Sequence, residues 1–146
     1  MSAAPAGALA HQATCVAIAG RGLLIEGSPG SGKSSLALAL IDRGAVLVGD
    51  DGVLLSARAG RLWALPPPNI RGLLEVRNVG LVTLPVIEAP LALLLRLDPD
   101  APRLPEGATP EIRAGMPIPA LALAPGSPVL HLRAEQALRL FGLVVT

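Results

Sequence analysis

The chain has 146 residues, 51% hydrophobic side chains and a formal net charge of +1, which is typical of one domain with a full core. It has no basic run and 1% aromatic residues, which argues against a nucleic-acid groove with stacking side chains. One cysteine, Cys15, excludes an internal disulfide, and neither a signal-peptide pattern nor a membrane-length apolar run is visible, so we expect a cytoplasmic protein with Cys15 in its core.

Short apolar stretches separated by glycine and proline predict a β-rich domain with few helices. Apolar residues at helical spacing predict a helix over residues 33–43 and a second helix over residues 133–141. Gly20-Arg21-Gly22 is expected to turn the first hairpin. Strands are expected at residues 14–19, 23–26, 45–48, 53–57, 62–65, 73–76, 79–84, 91–97 and 118–123.

Other segments are expected to be irregular. The run Pro66-Pro67-Pro68 predicts a rigid turn or extended loop without regular structure. The polar, proline-rich residues 98–115 predict an exposed loop. Residues 1–10 are small and alanine-rich, which predicts a flexible N-terminus before a single domain over residues 11–146.

The strongest functional signal lies at residues 27–34, which fit the phosphate-binding pattern G-x-x-x-x-G-K-[ST] between a predicted strand and a predicted helix. Lys33 is the only lysine among twelve basic residues. Its ammonium can reach between nucleotide phosphates, whereas a guanidinium is too bulky for the loop. We therefore expect backbone N–H groups and Lys33 to hold phosphates, with the Ser34 hydroxyl on Mg²⁺. The predicted phosphate-binding residues are Gly27, Ser28, Pro29, Gly30, Ser31, Gly32, Lys33, Ser34 and Ser35.

Acidic residues follow the loop at two places. Asp50 and Asp51 end the predicted strand at 45–48, where either carboxylate would orient Mg²⁺ or accept a proton from an attacking hydroxyl. Glu75 and Arg77 are two apart on a predicted strand, so both point to one face. That face would offer a carboxylate to Mg²⁺ and a cation to phosphates, although a surface ion pair is an equal interpretation of this spacing.

In order along the chain, these residues resemble the catalytic domain of HPr kinase/phosphorylase. The resemblance begins at His11 and continues through the segment 20–25, the phosphate loop, Arg43-Gly44-Ala45, the paired aspartates and Glu75-Val76-Arg77-x-x-Gly80, with fainter similarity at Met116-Pro117-Ile118-Pro119. No segment that would be the family's separate N-terminal domain precedes it, so the chain is expected to be a shortened form with the catalytic domain alone.

The resemblance implies an α/β fold with a mixed, largely antiparallel β core and few helices, related to phosphoenolpyruvate carboxykinase. It implies an ATP-dependent serine protein kinase with Mg²⁺, with pyrophosphate as an alternative donor. The substrate would be the phosphocarrier HPr of the bacterial phosphotransferase system, or its nitrogen-branch paralogue, and the family also reverses the modification by phosphorolysis. It further implies a hexamer.

The resemblance also assigns roles to residues. It makes Lys33 and the loop the phosphate ligands, and Ser34 and Glu75 the Mg²⁺ ligands. One of Asp50 and Asp51 becomes the base for the serine hydroxyl. His11 matches a histidine of the family's active site, and Arg77 supports that site electrostatically. Without the resemblance, His11 near a terminus would be read as solvated.

The sequence departs from the family pattern at several positions. Gly52 stands where many members have arginine, and Asn78 replaces the signature glycine after Arg77. Ala120 stands where many members carry a lysine, in a loop after Pro119. Ser127 stands where they carry the arginine of a Gly-Arg pair. The family uses both of those basic residues in dephosphorylation. These departures leave the kinase residues in place and weaken the prediction of phosphorylase activity.

Two other functions compete with this interpretation. A small-molecule or nucleotide kinase would share the phosphate loop, but such enzymes usually have an arginine-rich lid and a longer parallel sheet. The other alternative is a nucleotide-binding regulatory module without catalysis. The presence of Lys33, Ser34 and the paired aspartates argues against this alternative.

Overall fold

The computed structural model describes residues 7–144, and within them strands greatly outnumber helices. The elements are β1 Leu9–His11, β2 Thr14–Ile18, β3 Arg21–Gly27, α1 Lys33–Asp42, β4 Val46–Gly49, β5 Val53–Arg58, β6 Arg61–Leu65, a 3₁₀ turn Pro68–Ile70, β7 Leu73–Val76, β8 Gly80–Thr83, β9 Ala89–Leu97, β10 Thr109–Arg113, β11 Met116–Leu123 and α2 Leu130–Phe141.

The main sheet is mixed and largely antiparallel. Its strand order is β1-β5-β6-β9-β3-β2-β4, with β11 joined to β9 and β10 joined to β11. The parallel pairings within named strands are β3 with β9 and β9 with β11. Strands β7 and β8 form a separate antiparallel hairpin. This arrangement confirms the predicted fold class.

The core has two layers on either side of the central strands. On one face, Leu93 and Leu95 of β9 join the buried side of α1 and part of α2. On the other face, Leu94 packs with Leu55 and other side chains of β5 and β6. Leucine, valine, alanine and isoleucine supply almost all of this buried surface, as the low aromatic content predicts.

Cys15 lies in the second layer and is fully buried. Burial in apolar surroundings raises the pKa of its thiol far above the ordinary value. The prediction that Cys15 is a core residue is confirmed.

Strand order brings the loop and the acidic segment together. Both β3 and β4 are antiparallel to β2, which lies between them, so their carboxyl ends meet at one edge of the sheet. The phosphate loop leaves β3 at this edge, and Asp50 follows β4 at the same edge. The start of β2, at Thr14, lies there too because β2 runs the opposite way.

Most predicted elements are confirmed within a few residues, and two turn predictions need correction. The first hairpin turns at Ala19-Gly20, with φ of 50° and 81°, so Arg21 and Gly22 belong to β3. Left-handed values at both positions fit the twist of a two-residue hairpin. Pro68 is not irregular, because it begins the 3₁₀ turn Pro68–Ile70, where a missing N–H costs nothing.

Three segments extend further than predicted. Residues 109–113 are the edge strand β10, paired with β11, and not part of an exposed loop. Pro110 fits an edge strand because it has no ladder N–H to lose. Helix α2 begins at Leu130, since Leu130 continues its buried stripe. At the predicted flexible terminus, Leu9 and Ala10 pair with β5, while residues 1–6 lie outside the described residues.

Candidate active site

The phosphate loop joins β3 to α1 through a glycine-rich turn. Gly30 and Gly32 have φ of 79° and 101°, a region that glycine enters without strain. A Cβ at Gly27 would lie 2.6 Å from the Ser31 Oγ and 3.2 Å from the Leu97 Cβ, so close packing requires glycine there. The predicted strand, loop and helix are therefore confirmed in one unit.

The N-terminus of α1 is open toward the loop. No side chain caps it, and no acidic residue occurs in its first turn. The Ser31 Oγ is buried and has no hydrogen-bond partner among residues 7–144. Free N–H groups, a positive helix end and an unpaired hydroxyl are the features of an anion site, so this cradle fits phosphate oxygens.

The Lys33 side chain folds across the mouth of the loop. Its Nζ donates hydrogen bonds to the carbonyl oxygens of Gly27, at 2.7 Å, and Ser28, at 3.2 Å. The ammonium thus lies within the loop and is only partly buried.

Asp50 is a buried acidic side chain that accepts three hydrogen bonds at this edge. Its residue is 7% exposed. Its Oδ1 accepts hydrogen bonds from the Ser34 Oγ at 2.7 Å and the Thr14 Oγ1 at 3.0 Å. Its Oδ2 accepts one from the Glu75 N–H at 3.3 Å. The carboxylate therefore ties β2, α1 and β7 together.

Asp51 differs from its neighbour in both backbone and exposure. Its φ is 57°, a left-handed value that aspartate tolerates better than most residues. The side chain is exposed and makes no hydrogen bond with another described residue. It lines the same cleft as Lys33, so an incoming hydroxyl would meet this carboxylate without displacing a protein contact.

A cleft of about 480 Å³ gathers these groups. Glu75 and Arg77 both reach it, as predicted, although β7 ends at Val76 and Arg77 lies in the following turn. Its lining also includes apolar side chains that sequence analysis did not single out. The lining residues are Thr14, Pro29, Gly30, Gly32, Lys33, Ser34, Ser35, Asp50, Asp51, Ile70, Leu73, Glu75, Arg77 and Leu81.

The donors around Asp50 suit Mg²⁺. The Ser34 hydroxyl touches the Asp50 carboxylate, and Glu75 lies on the same cleft. Among residues 7–144 no group of three or more histidine, cysteine, aspartate and glutamate side chains is close enough to form a metal cage. Mg²⁺ needs no such cage, because it is usually bound by one or two carboxylates with waters and substrate phosphates.

The replacement of the signature glycine by Asn78 preserves the turn. Asn78 has φ of 68° between β7 and β8, and asparagine is among the side chains that best tolerate this region. The turn closes through a 2.9 Å hydrogen bond from the Val79 N–H to the Val76 carbonyl. This departure therefore leaves Glu75 and Arg77 in place.

His11 does not line the cleft; it lies behind the phosphate loop. Its Nε2 is 2.6 Å from the Glu26 Oε2. Arg113 donates to both oxygens of the same carboxylate, from Nη2 at 2.7 Å and from Nε at 2.9 Å. Burial alone would raise the pKa of Glu26, but hydrogen bonds from Arg113 and His11 outweigh it and hold that pKa below its ordinary value.

This cluster predicts acid-sensitive stability. The pKa of Glu26 is lower in the folded chain than in the unfolded chain, where it has its ordinary value of 4.5. The ion pairs of Glu26 therefore stabilise the fold fully at pH values above 4.5. This stabilisation is lost as the pH falls through the lowered pKa of the folded chain. We expect Glu26→Gln to cost about 1–3 kcal/mol of unfolding free energy at pH 7 and much less in acid. Urea unfolding at both pH values measures this difference.

Glu88→Gln is the matched control, since Glu88 pairs with Arg58 at an exposed site. Exposed pairs contribute under about 1 kcal/mol. A cost of Glu26→Gln that is equal at neutral and acid pH would contradict the role of the ionised carboxylate.

Ala120 and Ser127, two of the departures from the family pattern, are not among the residues that line the cleft. Ala120 is buried within β11, so the strand predicted at residues 118–123 is confirmed and the loop that the resemblance implied after Pro119 is not present. The Ser127 Oγ accepts a 3.1 Å hydrogen bond from the Val129 N–H just before α2. Neither side chain supplies a cation.

Sequence reasoning missed Thr14, Glu26 and Arg113. Glu26 directly precedes the phosphate loop, and this adjacency was the one available signal. Thr14 and Arg113 carry no local motif, because their partners are 36 and 87 residues away along the chain.

The fold and cleft define a phosphate-loop protein in which acidic side chains from two further segments face the loop. The family model for the HPr serine kinase C-terminal domain matches residues 5–87. The chain therefore belongs to the HPr serine kinase C-terminal domain family.

Individual relatives agree with this assignment. The chain is 42% identical over 69 residues to an HPr kinase/phosphorylase of Mycoplasmopsis pulmonis, covering 47% of this chain and 22% of the relative. It is 47% identical over 68 residues to one of Streptococcus thermophilus, covering 46% and 22%. The chain thus matches less than a quarter of the length of these curated relatives.

A solved structure extends the similarity over nearly the whole fold. The Hpr(Ser) kinase/phosphatase from Coxiella burnetii superposes with a TM-score of 0.80 and 28% sequence identity, covering 90% of this chain and 88% of that chain. The similarity therefore extends past residue 87, where the match to the family model ends. Within residues 7–144 no helix is long and apolar enough to cross a membrane.

Proposed function

We propose that this chain transfers the γ-phosphoryl group of ATP, with Mg²⁺, to a serine of the phosphocarrier HPr or its nitrogen-branch paralogue. The observation that carries the proposal is the unequal environment of the two aspartates beside one phosphate loop. Asp50 is buried and bonded to Ser34, whereas Asp51 is exposed on the same cleft. Phosphoryl transfer to a hydroxyl needs two acidic side chains: one carboxylate that helps to bind the metal ion, and one free carboxylate that accepts the proton of the hydroxyl.

The polar residues of the cleft would have different roles in this transfer. The loop N–H groups and Lys33 would bind the phosphates, and Ser34, Asp50 and Glu75 would hold Mg²⁺. Bound Mg²⁺ would neutralise charge on the β- and γ-phosphates. Asp51 would accept the proton of the attacking serine, and Arg77 at the rim would attract the negative charge of the transferred group.

A protein acceptor is favoured over a small metabolite by the shape of the cleft and by the relatives. The cleft is open, and its rim at the β7–β8 hairpin carries the exposed apolar side chains Val79 and Leu81. A kinase for a small metabolite usually closes a lid over its substrate to exclude water. The relatives that match nearly half of this chain are named HPr kinase/phosphorylase.

The test is transfer of label from [γ-³²P]ATP to purified HPr and to its paralogue. We expect label on wild-type phosphocarrier and none on a phosphocarrier whose regulatory serine is replaced by alanine. Label on a small metabolite with none on either phosphocarrier would favour the competing kinase, and binding of ATP without any transfer would favour a regulatory module. Supplying serine-phosphorylated HPr with inorganic phosphate, and measuring pyrophosphate, tests the reverse reaction, which we expect to be weak because Ala120 and Ser127 supply no cation.

A further inference from the structure

A series of contacts between side chains of alternating charge links the β10–β11 hairpin to the phosphate loop. Arg96 of β9 donates to the Glu111 Oε1 at 2.7 Å, and Arg113 lies 3.8 Å from the same oxygen. Arg113 then binds both oxygens of Glu26, and His11 binds one of them. The side chains of His11, Glu26 and Arg113 are 26%, 16% and 20% exposed, so solvent screens these contacts only in part.

Glu26 and His11, the last two residues of this series of charged contacts, lie next to the phosphate loop and the segment that follows Asp51. Glu26 is joined directly to Gly27, whose carbonyl oxygen accepts the Lys33 ammonium. His11 pairs with Val53, two residues after Asp51. A shift of Glu26 or His11 would therefore move the start of the phosphate loop and the segment that carries the free aspartate.

We propose that Glu26 and Arg113 are positioning residues, which hold the His11 imidazole in one orientation and tautomer behind the phosphate loop. This inference rests on the proposed phosphoryl transfer for its effect on activity. Sequence analysis anticipated neither residue; Glu26 directly precedes the phosphate loop, and Arg113 reaches Glu26 from β10.

The chemistry of the three groups explains why the arginine is needed. An ionised carboxylate accepts hydrogen bonds and donates none, so the His11 Nε2 must carry the proton that points to Glu26. In the neutral ring, Nδ1 is then an acceptor. Arg113 fixes the plane of the carboxylate through two parallel contacts, a geometry that lysine cannot reproduce.

Arg113 also offsets a charge that would otherwise oppose function. An uncompensated carboxylate directly before Gly27 would repel the phosphates that the loop is built to bind. The Arg113 guanidinium, which reaches Glu26 from β10 of the same sheet, pairs with it, so the loop keeps a net attraction for anions.

The first test reads the ring directly and needs no phosphoryl transfer. The chain has two histidines, His11 and His131, so ¹H–¹⁵N spectra of the rings are simple, and His131→Gln assigns them. We expect the Nε2–H tautomer for neutral His11 in the wild type and a mixture of tautomers in Arg113→Met. Arg58→Met is the matched control, since Arg58 forms an exposed pair with Glu88. An Nδ1–H tautomer in the wild type, or no change in Arg113→Met, would overturn the proposal.

The second test is a double-mutant cycle on phosphoryl transfer. We expect Arg113→Met to lower kcat about tenfold, because a misplacement of about 1 Å at a reacting centre can cost about a hundredfold and the shift expected here is smaller. In a His11→Gln background the same change should cost little, since the two residues act through one another. Fully additive losses would mean that Arg113 only supports the fold, and the proposal would fail.

Arg113→Lys replaces Arg113→Met in both tests if the methionine variant does not fold. It keeps the charge and loses the two parallel contacts, so we expect it to fold and still to lose the single tautomer. If no phosphocarrier is labelled by the wild type, the proposed function fails, while the ring spectra still decide the positioning of His11.

Discussion

Replacing Lys33 with alanine is expected to reduce phosphoryl transfer about a thousandfold while the fold is retained. Among the residues that the structure describes, the ammonium bonds only the carbonyls of Gly27 and Ser28, so little packing is lost. We expect the ammonium to neutralise charge that develops on the transferred group. Removing one such contact typically lowers kcat a hundredfold to a thousandfold. Initial rates with [γ-³²P]ATP and thermal unfolding of each variant measure the two effects.

Lys33→Arg is the informative companion. It retains the charge but brings a planar group that is too large for the loop, so we expect activity close to that of Lys33→Ala. Since Lys33 is the chain's one lysine, protection of its side-chain amine from an acylating reagent by Mg²⁺-ATP is an independent measure of binding. Full activity in Lys33→Ala would remove the assignment of the phosphate loop.

Asp51→Asn is expected to lower kcat by about a hundredfold to ten-thousandfold, the range of general-base catalysis, with little effect on stability or Mg²⁺ dependence. The side chain is exposed, and asparagine tolerates the φ of 57° at this position. Because an amide before Gly52 can hydrolyse back to a carboxylate, Asp51→Gly is the companion variant; it accepts the same φ. The pH dependence of kcat/KM should lose its acidic limb in both.

Asp50→Asn should behave differently in each of these measurements. The amide keeps one acceptor oxygen of the two that bind Ser34, Thr14 and the Glu75 N–H, so we expect a loss of about 1–3 kcal/mol in unfolding free energy. We also expect a higher Mg²⁺ requirement. Equal and mild losses in the Asp50 and Asp51 variants would mean that neither carboxylate accepts the proton.

The phosphate loop could be predicted from sequence because its function is local. Eight consecutive residues set the positions of the backbone N–H groups, and the φ values of Gly30 and Gly32 follow from the loop's own curvature. The helix after it was also predictable, since leucines at helical spacing mark its buried side.

The different roles of Asp50 and Asp51 could not be predicted. The two residues are chemically identical and adjacent, so no pattern separates them. The turn after β4 buries one beneath Thr14 and Ser34 and leaves the other exposed with a left-handed backbone. Burial and bonding, which depend on strand order, decide the difference.

Strand β10 was missed for a related reason. Its sequence, Thr-Pro-Glu-Ile-Arg, is polar and contains proline, which predicts a loop. Pairing with β11 at the edge of the sheet makes the strand, because an edge accepts both charged side chains and a missing N–H.

The sequence by itself determined the phosphate loop, its lysine, the acidic residues near it and the resemblance to a kinase family. Each of these is encoded in a contiguous stretch whose backbone conformation depends mainly on its own residues. The tertiary structure decided which aspartate is free and which arginine balances Glu26. Glu26 and Arg113 are 87 residues apart, and their contact exists because β3, β9, β11 and β10 are neighbours in one sheet. Such pairings depend on how strands assemble, which no single stretch of the chain specifies.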